Sequence, residues 1–385
     1  MHKKKICFVA TVDWQIIWFL LEHIKAMNSK YDITVVVNAP GMVSLKSLGV
    51  DVPVLPVRIE RSISILRDIR ALIDLTRLFY TNRFDVVHSI APKSGLLAMT
   101  AAFLAGTQKR IHIFTGQVWA TKSGIVKRFL RGMDKIIATF ATHILVDSPS
   151  QRDFLIREKV VSGKKSSVLA KGSVCGVDCT RFVPDEIAGS VIRKELGIDE
   201  SELVFLFLGR LKADKGILDL ANAFTRVMVS PQSSHLLIVG PDEENIREKV
   251  MSICRACQKN VHFVDYTMVP ERYIASADVL CLPSYREGFG QVIIEAAAVG
   301  IPSIGSRIYG ITDAIEEGST GLLYEVGRMD ILADKMLQFI KYPALRKEMG
   351  KQARERVLRD FSTETLVSSM LNYYESLEIR KGSNP

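Results

Sequence analysis

The chain has 385 residues, 48% of them hydrophobic and 24% charged, with a formal net charge of +9. A single hydrophobic core seldom grows beyond about 250–300 residues, so the length favours two domains, and the balanced composition excludes a disordered chain. Six cysteines are too few for a disulfide scaffold, and no apolar run reaches the roughly 18–20 residues that cross a bilayer.

The first half of the chain alternates short apolar runs with helical patterns. Strands are predicted at 5–10, 33–37, 54–57, 84–88, 110–114, 143–146 and 167–170, and helices at 15–28, 63–81, 93–105, 123–141 and 149–158. Strand runs such as "ITVVV" and "FDVVH" are continuously apolar, which is typical of a parallel sheet covered by helices on both faces.

The second half repeats this alternation. Strands are predicted at 203–209, 235–240, 261–264, 279–282, 302–305 and 321–324, and helices at 216–229, 243–257, 271–276, 290–299, 311–316, 329–341 and from 343 to about 380, with a new start at Ser362 and Thr363. The repetition predicts an α/β protein with two Rossmann-like, doubly wound domains. The predicted domains are 1–185 and 186–362, with a helical segment at 363–385 and a linker near 180–190.

Positive charge is concentrated in the first half. Residues 1–185 hold 27 Lys and Arg against 14 Asp and Glu. This excess favours a polyanion or an anionic surface, with nucleic acid, the cytoplasmic membrane leaflet and a merely solubilising surface as the alternatives. The basic start "MHKKK" imitates a signal peptide, but Asp13 interrupts the apolar run behind it, so a cytosolic or peripheral membrane location is expected.

The stretch "FLFLGRLKADKG" places two cations between a strand and a helix. The apolar run ends at Gly209, and Arg210 and Lys215 precede the helical pattern. Because a helix dipole disfavours cations at this end, a bound diphosphate would account for both, and a solvated loop is the alternative. The spacing matches neither the Walker loop nor the dinucleotide fingerprint.

The stretch "REGFGQVIIE" combines two carboxylates with two glycines. Gly288 and Gly290 allow the backbone amides around Phe289 to approach an anion at the start of the next helix. Glu295 falls among apolar residues, where a carboxylate needs partners such as the two vicinal hydroxyls of a ribose. Glu287, in the turn, suits the hydroxyls of a sugar next to the phosphate, and a pair of salt-bridged glutamates is the alternative.

These motifs as a set resemble a known family. They are Glu287 and Glu295 with seven residues between them, "GRLKADKG", "VGPDEE" and "CGVDCTRF". The set resembles the retaining glycosyltransferases of family four, which have the GT-B fold of two Rossmann-like domains facing across a cleft, and the resemblance covers nearly the whole chain. It implies an acceptor-binding first domain, a second domain that binds a nucleotide sugar (a UDP-sugar is expected), C-terminal helices that cross back, and no further cofactor.

The resemblance also implies a role for each motif residue. The implied donor site consists of Gly209, Arg210, Lys215, Glu287, Gly288, Phe289, Gly290 and Glu295. In it, Arg210 and Lys215 would bind the diphosphate, and Glu295 would bind the ribose. Glu287 would bind the donor sugar, and the predicted catalytic set is His88, Arg210, Lys215 and Glu287.

In the first half, "HSIAPKSG" and "RIHIFTGQVWATKSG" resemble bacterial members that extend polyprenyl-diphosphate-linked sugars for O-antigen or capsule. Lys93 follows Pro92 at a helix start, where a cation is unfavourable unless a phosphate of the acceptor or the donor binds it. His88 is expected to end its strand at the edge of the cleft, and a core histidine is the alternative.

The chain departs from the family in two loops. Asp13 and Trp14 stand where many relatives have two glycines, which favours contact with the acceptor. Residues 115–117 stand where many relatives carry a histidine, so the group that meets the outer hydroxyls of the donor sugar is open. The predicted acceptor site is the set Asp13, Trp14, Lys93, Thr115, Gly116 and Gln117.

No Asp-x-Asp pair, the usual metal ligand of metal-dependent sugar transferases, occurs in the chain. Cations and helix amides would then neutralise the leaving diphosphate, and no metal site is predicted. The expected reaction is a retaining, metal-independent transfer of a hexose or an N-acetylhexosamine to a lipid-linked sugar. A nucleotide-sugar epimerase of the same architecture and a non-catalytic partner subunit are the alternatives.

The basic first half fits an acceptor that lies at the anionic inner leaflet. The stretch 58–83 alternates Arg with an apolar stripe, as an interfacial helix does, and an ordinary surface helix is the alternative. The expected partners are therefore a nucleotide sugar, a polyprenyl-diphosphate-linked acceptor and an anionic membrane surface. Nucleic acid is not expected, because it would leave the glutamate pair unexplained.

Overall fold

The computed structural model describes residues 3–38, 45–60, 64–228 and 233–379. They form two α/β units: unit 1 holds the described residues up to Cys175 together with those from Thr363 onward, and unit 2 runs from Gly176 to Ser362. The residue at which a boundary was predicted, 185, falls inside unit 2. Within the described ranges, no helix combines the length and the apolar character needed to cross a membrane.

Unit 1 is built on a seven-stranded parallel sheet with the order β3-β2-β1-β4-β5-β6-β7. The strands are β1 (Lys5–Val9), β2 (Asp32–Val37), β3 (Val54–Pro56), β4 (Val86–Ile90), β5 (Lys109–Phe114), β6 (His143–Val146) and β7 (Ser166–Val168). The direction of winding reverses between β1 and β4. The loops after these two strands flank this switch point, which is where sheets of this kind bind ligands.

Helices cover both faces of the sheet in unit 1. They are α1 (Asp13–Phe19), α2 (Leu21–Asn28), α3 (Ile65–Asn82), α4 (Pro92–Leu104), α5 (Gly124–Phe140), α6 (Pro149–Arg157) and a C-terminal helix (Thr363–Ile379). On one face, α3, α4 and α5 bury Leu75, Ala98 and Ile137. On the other face, α2 and the C-terminal helix bury residues such as Ile24 and Leu366.

Unit 2 has a six-stranded parallel sheet with the order β10-β9-β8-β11-β12-β13. The strands are β8 (Leu203–Leu208), β9 (Ser234–Val239), β10 (Val261–Val264), β11 (Val279–Leu282), β12 (Ser303–Ser306) and β13 (Gly321–Tyr324). The helices are α7 (Glu186–Leu196), α8 (Ile217–Val227), α9 (Ile246–Ile253), α10 (Pro270–Ala275), α11 (Gln291–Val299), α12 (Ile311–Ala314), α13 (Met329–Lys341) and α14 (Pro343–Asp360); the C-terminal helix is α15. The switch point of this sheet lies between β8 and β11.

The thirteen predicted strands are confirmed, and three predicted helices are interrupted. The pattern at 15–28 forms two helices, because Leu20 leaves helical geometry (φ −126°, ψ −8°) while its side chain enters the core. The pattern at 243–257 ends as α9 at Ile253, and Cys257 (φ −131°) breaks the turns behind it. A break at 361–362 precedes α15, which begins at Thr363 as predicted. The predicted helix ends at 63, 229 and 380 lie outside the described residues.

Candidate functional site

The carboxyl edge of the sheet in unit 2 brings the predicted donor residues together. Since the strands are parallel, the loops after β8 and β11 leave the sheet at the same edge and flank the switch point. The loop after β8 carries Arg210 and Lys215, and the loop after β11 carries Glu287. The fold therefore brings together two motifs that are distant in the sequence, since Glu287 lies 72 positions after Lys215.

Lys215 and Glu287 form an ion pair at this edge. Lys215 Nζ lies 2.6 Å from Glu287 Oε1, and the two side chains are only 18% and 15% exposed. Ser284 Oγ donates to the same oxygen at 2.7 Å, while Oε2 accepts no hydrogen bond from any described residue. The pair thus orients the carboxylate and leaves one oxygen for a ligand hydroxyl. Lys215 retains N–H donors that suit phosphate oxygens.

Four residues that no sequence motif predicted connect these two loops. Asp214 accepts a hydrogen bond from Arg286 at 2.9 Å, and its backbone carbonyl accepts the N–H of Tyr285 at 2.9 Å. The Tyr285 hydroxyl donates to Asp219 at 2.7 Å, and this bond raises the pKa of Tyr285 to about 12. The only sequence signal for Asp214 and Arg286 is that each directly precedes a predicted site residue.

Two glycines allow the backbone segments of this edge to approach one another. Gly216 (φ +70°) precedes α8, and a Cβ atom there would lie 2.0 Å from the carbonyl oxygen of Pro283. Gly240 (φ +143°) follows β9, and a Cβ atom there would lie 2.0 Å from the carbonyl oxygen of Gly209. Both backbone conformations are ones that L side chains avoid, so glycine is required at both positions.

Helix α11 begins at the loop after β11 without a side-chain cap. Gly290 is its N-cap at φ +81°, and the first-turn amides suit an anion because no side chain caps them. Phe289 is buried with its ring 5.3 Å from that of Phe361, so its side chain belongs to the core of unit 2. Gly288 is buried as well.

Glu295 lies in the second turn of α11 and keeps part of its side chain exposed. Burial of its carboxyl group raises its pKa to about 7, opposed in part by a hydrogen bond from Gln291 and by the charge of Arg181. Gln291 also donates to the carbonyl oxygen of Gly176 at 2.7 Å. Since Glu295 forms no ion pair with a described residue, its carboxyl group has capacity for further hydrogen-bond donors.

Arg210 differs from Lys215 in its surroundings. Its side chain is 54% exposed, and NH1 lies 3.5 Å from Glu243 Oε2. Lys212 contacts the same oxygen at 2.8 Å, and these two cations lower the pKa of Glu243. The structure therefore shows no contact between Arg210 and the Lys215–Glu287 pair. Among the described residues, no three His, Cys, Asp or Glu side chains are grouped to hold a metal ion.

The carboxyl edge of unit 1 carries part of the predicted acceptor set. Helices α1 and α4 begin after β1 and β4, on either side of the switch point. Asp13 opens α1, and its Oδ1 accepts the backbone N–H of Trp14 at 2.9 Å. The Trp14 and Trp18 rings lie 5.4 Å apart, and Trp18 is exposed, so the start of α1 offers an aromatic surface.

Lys93 lies in the first turn of α4, as predicted. Its Nζ contacts Asp68 Oδ1 of α3 at 2.7 Å, so the protein itself balances part of the charge. Ala91, the N-cap of α4, has φ +74° and ψ 153°, a conformation that costs a non-glycine residue roughly 1–3 kcal/mol. Strain of this kind is concentrated at functional sites, which agrees with the position of Ala91 beside the switch point.

The structure places Gln117 in the interior of unit 1. Its side chain is fully buried, and its Oε1 accepts a hydrogen bond from Gln151 of α6 at 3.0 Å, whereas its Nε2 has no hydrogen-bond partner among the described residues. Its contact with the acceptor stays a prediction. Of its two neighbours after β5, Thr115 is partly exposed and Gly116 (φ +125°) is buried.

The prediction that His88 ends its strand at the edge of a cleft is wrong. Strand β4 continues to Ile90, and His88 is 0% exposed. Its Nδ1 shares a hydrogen bond of 2.6 Å with the hydroxyl of Tyr374 in α15, and its ring lies 5.2 Å from that of Phe8. Burial lowers its pKa to about 3, so the ring is neutral. The alternative, a core histidine hydrogen-bonded to the backbone, is right about the core, but the partner is the side chain of Tyr374.

Two family models match the chain. "Glycosyl transferase 4-like domain" matches residues 19–170, and "Glycosyl transferases group 1" matches residues 190–356. Together the two matches cover more than three quarters of the chain. The first match falls in unit 1, and the second falls in unit 2, where the Lys215–Glu287 pair lies.

Two curated relatives match most of the chain. The chain is 28% identical to the capsular polysaccharide biosynthesis glycosyltransferase CapM of Staphylococcus aureus, over 82% of this chain and 83% of that protein. It is 26% identical to the UDP-Gal:alpha-D-GlcNAc-diphosphoundecaprenol alpha-1,3-galactosyltransferase of Escherichia coli, over 83% of each.

A solved structure has the same fold. Anabaena Alr3699/HepE, crystallised in complex with UDP, superimposes with a TM-score of 0.80 at 18% identity, covering 97% of this chain and 100% of that one. The fold predicted from the sequence is thereby confirmed. The chain belongs to the group 1 glycosyltransferases of family four and has the GT-B fold.

Proposed function

We propose that this glycosyltransferase transfers a hexose or an N-acetylhexosamine, with retention and without a metal ion, from a UDP-sugar to a saccharide linked to polyprenyl diphosphate. The product would be an intermediate of a capsule- or O-antigen-like polysaccharide. The observation that supports the proposal most is the Lys215–Glu287 contact of 2.6 Å beside the uncapped start of α11. It combines a cation suited to phosphate, a helix start without a side-chain cap and a carboxylate suited to a sugar hydroxyl within one small region.

In the donor site, each group has a role that its surroundings favour. Lys215 and the first amides of α11 bind the diphosphate, and Arg210, which is exposed, swings onto it from the adjacent loop. Glu295 accepts hydrogen bonds from the ribose hydroxyls, and Glu287 Oε2 accepts one from the donor sugar. The name of the Escherichia coli relative and the UDP complex of Alr3699/HepE are consistent with a uridine nucleotide.

The reaction follows from this arrangement. The bond between C1 of the sugar and the diphosphate oxygen breaks first, and Lys215, Arg210 and the α11 amides stabilise the negative charge of the leaving UDP. The acceptor hydroxyl then attacks C1 from the face that UDP leaves, and its proton passes to a phosphate oxygen of UDP. No protein nucleophile is required. His88 is excluded from direct contact because it lies in the core of unit 1.

The acceptor class is inferred from unit 1 and from one relative. The Escherichia coli relative is named for an acceptor that is a sugar on diphosphoundecaprenol. Lys93, together with the aromatic start of α1 at Trp14, provides a cation and ring surfaces for a phosphorylated sugar. Asp13 and Thr115 lie at the same edge of the sheet and would contact the hydroxyls of that sugar.

Peripheral attachment to the inner face of the membrane completes the proposal. Helix α3 lies in the stretch predicted to be interfacial, of which residues 61–63 are outside the described ranges. It exposes Ile65, Leu66 and Ile69 beside the basic Arg70. An apolar and basic surface of this kind binds anionic lipid, at on the order of 1 kcal/mol per cation near the membrane.

A donor panel tests the proposal. The chain is incubated with UDP-hexoses and UDP-N-acetylhexosamines and with a short polyprenyl-diphosphate sugar, with EDTA present, and products are detected by mass. We expect one donor to give a product whose new linkage has the anomeric configuration of the donor by NMR. The proposal would be contradicted if the new linkage had the opposite anomeric configuration, if transfer required added metal, or if the UDP-sugar were epimerised without any acceptor. Flotation with anionic liposomes at low salt tests the membrane attachment separately.

A further inference from the structure

We infer that unit 1 contains a prenyl pocket, an apolar cavity between α3, α4 and α5 that binds the diphosphate-proximal isoprenoid unit of the acceptor lipid while Lys93 binds its diphosphate. The inference rests on the proposed function in one respect, namely that the acceptor carries a prenyl chain. The pocket is lined by Leu96, Leu97, Val118, Trp119, Leu130 and Met133. Its polar lining is Lys93, Asp68 and Asp134 of α5, whose Oδ2 accepts a hydrogen bond from Trp119 Nε1 at 2.7 Å.

The size and lining of the cavity favour a short branched hydrocarbon. Its volume is about 170 Å³. A cavity of roughly 150 Å³ lined by Leu, Ile and Phe binds a benzene-sized molecule, whereas pockets for drug-sized ligands begin at about 300 Å³. A nucleotide sugar is therefore too large, and one isoprenoid unit is a suitable occupant. The cavity is not sealed, because Val118 at its wall is 44% exposed.

The polar end of the pocket provides recognition of a diphosphate. Lys93 lies in the first turn of α4, a helix of 13 residues whose N-terminus has no side-chain cap. Its ammonium group contacts Asp68 at 2.7 Å, so a bound diphosphate would share or replace this carboxylate. The lining thus combines apolar side chains with one cation and two carboxyl groups, and the cation gives the diphosphate of a prenyl chain a partner next to the apolar wall.

The surface around the pocket indicates where the rest of the chain runs. Helix α4 packs against both α3 and α5, and these helices begin at the carboxyl edge of the sheet, near the pocket. Their first two turns expose large apolar side chains, which are Ile65, Leu66, Ile125, Val126 and Phe129. Exposed Lys122 and Arg128 lie beside them. A lipid tail leaving the pocket would meet apolar side chains and then an anionic membrane surface.

Two exposed positions give a matched pair of variants. Val118 lines the pocket, and Ile136 of α5 does not, yet the two are 44% and 45% exposed. Because both side chains are already partly in water, Val118→Asp and Ile136→Asp are both expected to fold. Val118→Asp places a charge in the pocket, whereas Ile136→Asp places the same charge on the surface of the same unit.

Calorimetry with geranyl diphosphate and inorganic diphosphate measures the binding. We expect the wild type and Ile136→Asp to bind geranyl diphosphate roughly 10- to 100-fold more tightly than inorganic diphosphate, since several CH₂ groups leave water. Val118→Asp should bind geranyl diphosphate and inorganic diphosphate about equally. Equal binding of both ligands by the wild type, or equal behaviour of the two variants, would overturn the inference.

Turnover separates this inference from the proposed function. Val118→Asp should raise the KM for a prenyl-diphosphate sugar about 10-fold or more above its KM for the same sugar diphosphate carrying a methyl group, relative to the ratio of these two KM values in the wild type and in Ile136→Asp. If the variants transfer the sugar and show no such difference in KM, the pocket is refuted and the proposed function is not. If geranyl diphosphate binds tightly but no sugar is transferred to any prenyl-linked sugar, the proposed function is refuted and the pocket is not.

Discussion

Lys215 and Arg210 were predicted to perform one task, but the structure places them in different surroundings, which makes their variants distinguishable. Lys215 is mostly buried against Glu287, and Arg210 is half exposed. We expect Lys215→Ala to lose both stability and turnover, and Arg210→Ala to lose turnover with little loss of stability. Lys212→Ala is the control, because Lys212 is a cation of the same loop that pairs with Glu243.

The magnitudes follow from the exposure of each pair. Removing one partner of a buried ion pair costs about 3–5 kcal/mol, and since the Lys215–Glu287 pair retains some contact with solvent, we expect about 2–3 kcal/mol for Lys215→Ala. An exposed pair contributes at most about 1 kcal/mol, which sets the limit for Arg210→Ala. Losing one donor to the leaving diphosphate should lower kcat about 10²- to 10³-fold in either variant. Lys212→Ala should change kcat less than about 3-fold.

Urea denaturation and steady-state kinetics on the three variants measure both quantities. Adding Glu287→Gln to Lys215→Ala gives a double-mutant cycle, and the cost of the double variant should fall short of the sum by about 1–3 kcal/mol. Strictly additive costs would show that the 2.6 Å contact is not energetically significant. Wild-type turnover in Lys215→Ala or Arg210→Ala would refute the assigned roles in diphosphate binding.

Three further predictions concern buried groups. Burial raises the pKa of Glu295 to about 7, so the KM for the donor should fall as pH rises from about 6 to about 8, and Glu295→Gln should abolish this dependence in initial-rate assays. Burial raises the pKa of Asp134 from 3.8 to about 7, so the stability that its protonated form gives the folded state is present below pH 3.8 and is lost as pH rises to about 7. Asp134→Asn should therefore be more stable than the wild type at pH 8, by up to about 4 kcal/mol of unfolding free energy in urea denaturation. The difference between the two proteins should be smaller at pH 5. Tyr374→Phe removes the hydrogen-bond partner of His88 and should lower the free energy of unfolding by about 1–3 kcal/mol, with kcat within about 3-fold of the wild type. A large loss of kcat at unchanged stability would instead show that His88 takes part in the reaction.

Most strands could be predicted because they are short and largely apolar runs such as "ITVVV" and "LVFLFL", which is what a sheet buried on both faces requires. The place of the predicted donor motifs at one edge of the sheet could be predicted, because the motifs at 209–215 and 287–290 each stand where a strand run ends and a helical pattern begins. The ion pair between Lys215 and Glu287 could not be predicted. Lys215 and Glu287 are 72 residues apart, and only the adjacency of β8 and β11 brings them into contact.

His88 illustrates the opposite case. The run "FDVVH" ends in a polar residue, so the sequence placed the strand end there, yet β4 continues through the next two residues in the middle of the sheet. The partner of His88, Tyr374, lies 286 residues further along the chain in α15. No local pattern reports a contact of that range, and a buried histidine and a catalytic one are alike in the sequence until the partner is known.

A crystal structure of the chain with UDP tests the central claim most directly. We expect the diphosphate within about 3 Å of Lys215 and of the first amides of α11, with both ribose hydroxyls donating to Glu295. A nucleotide bound elsewhere, or bound here with Glu295 away from the ribose, would contradict it.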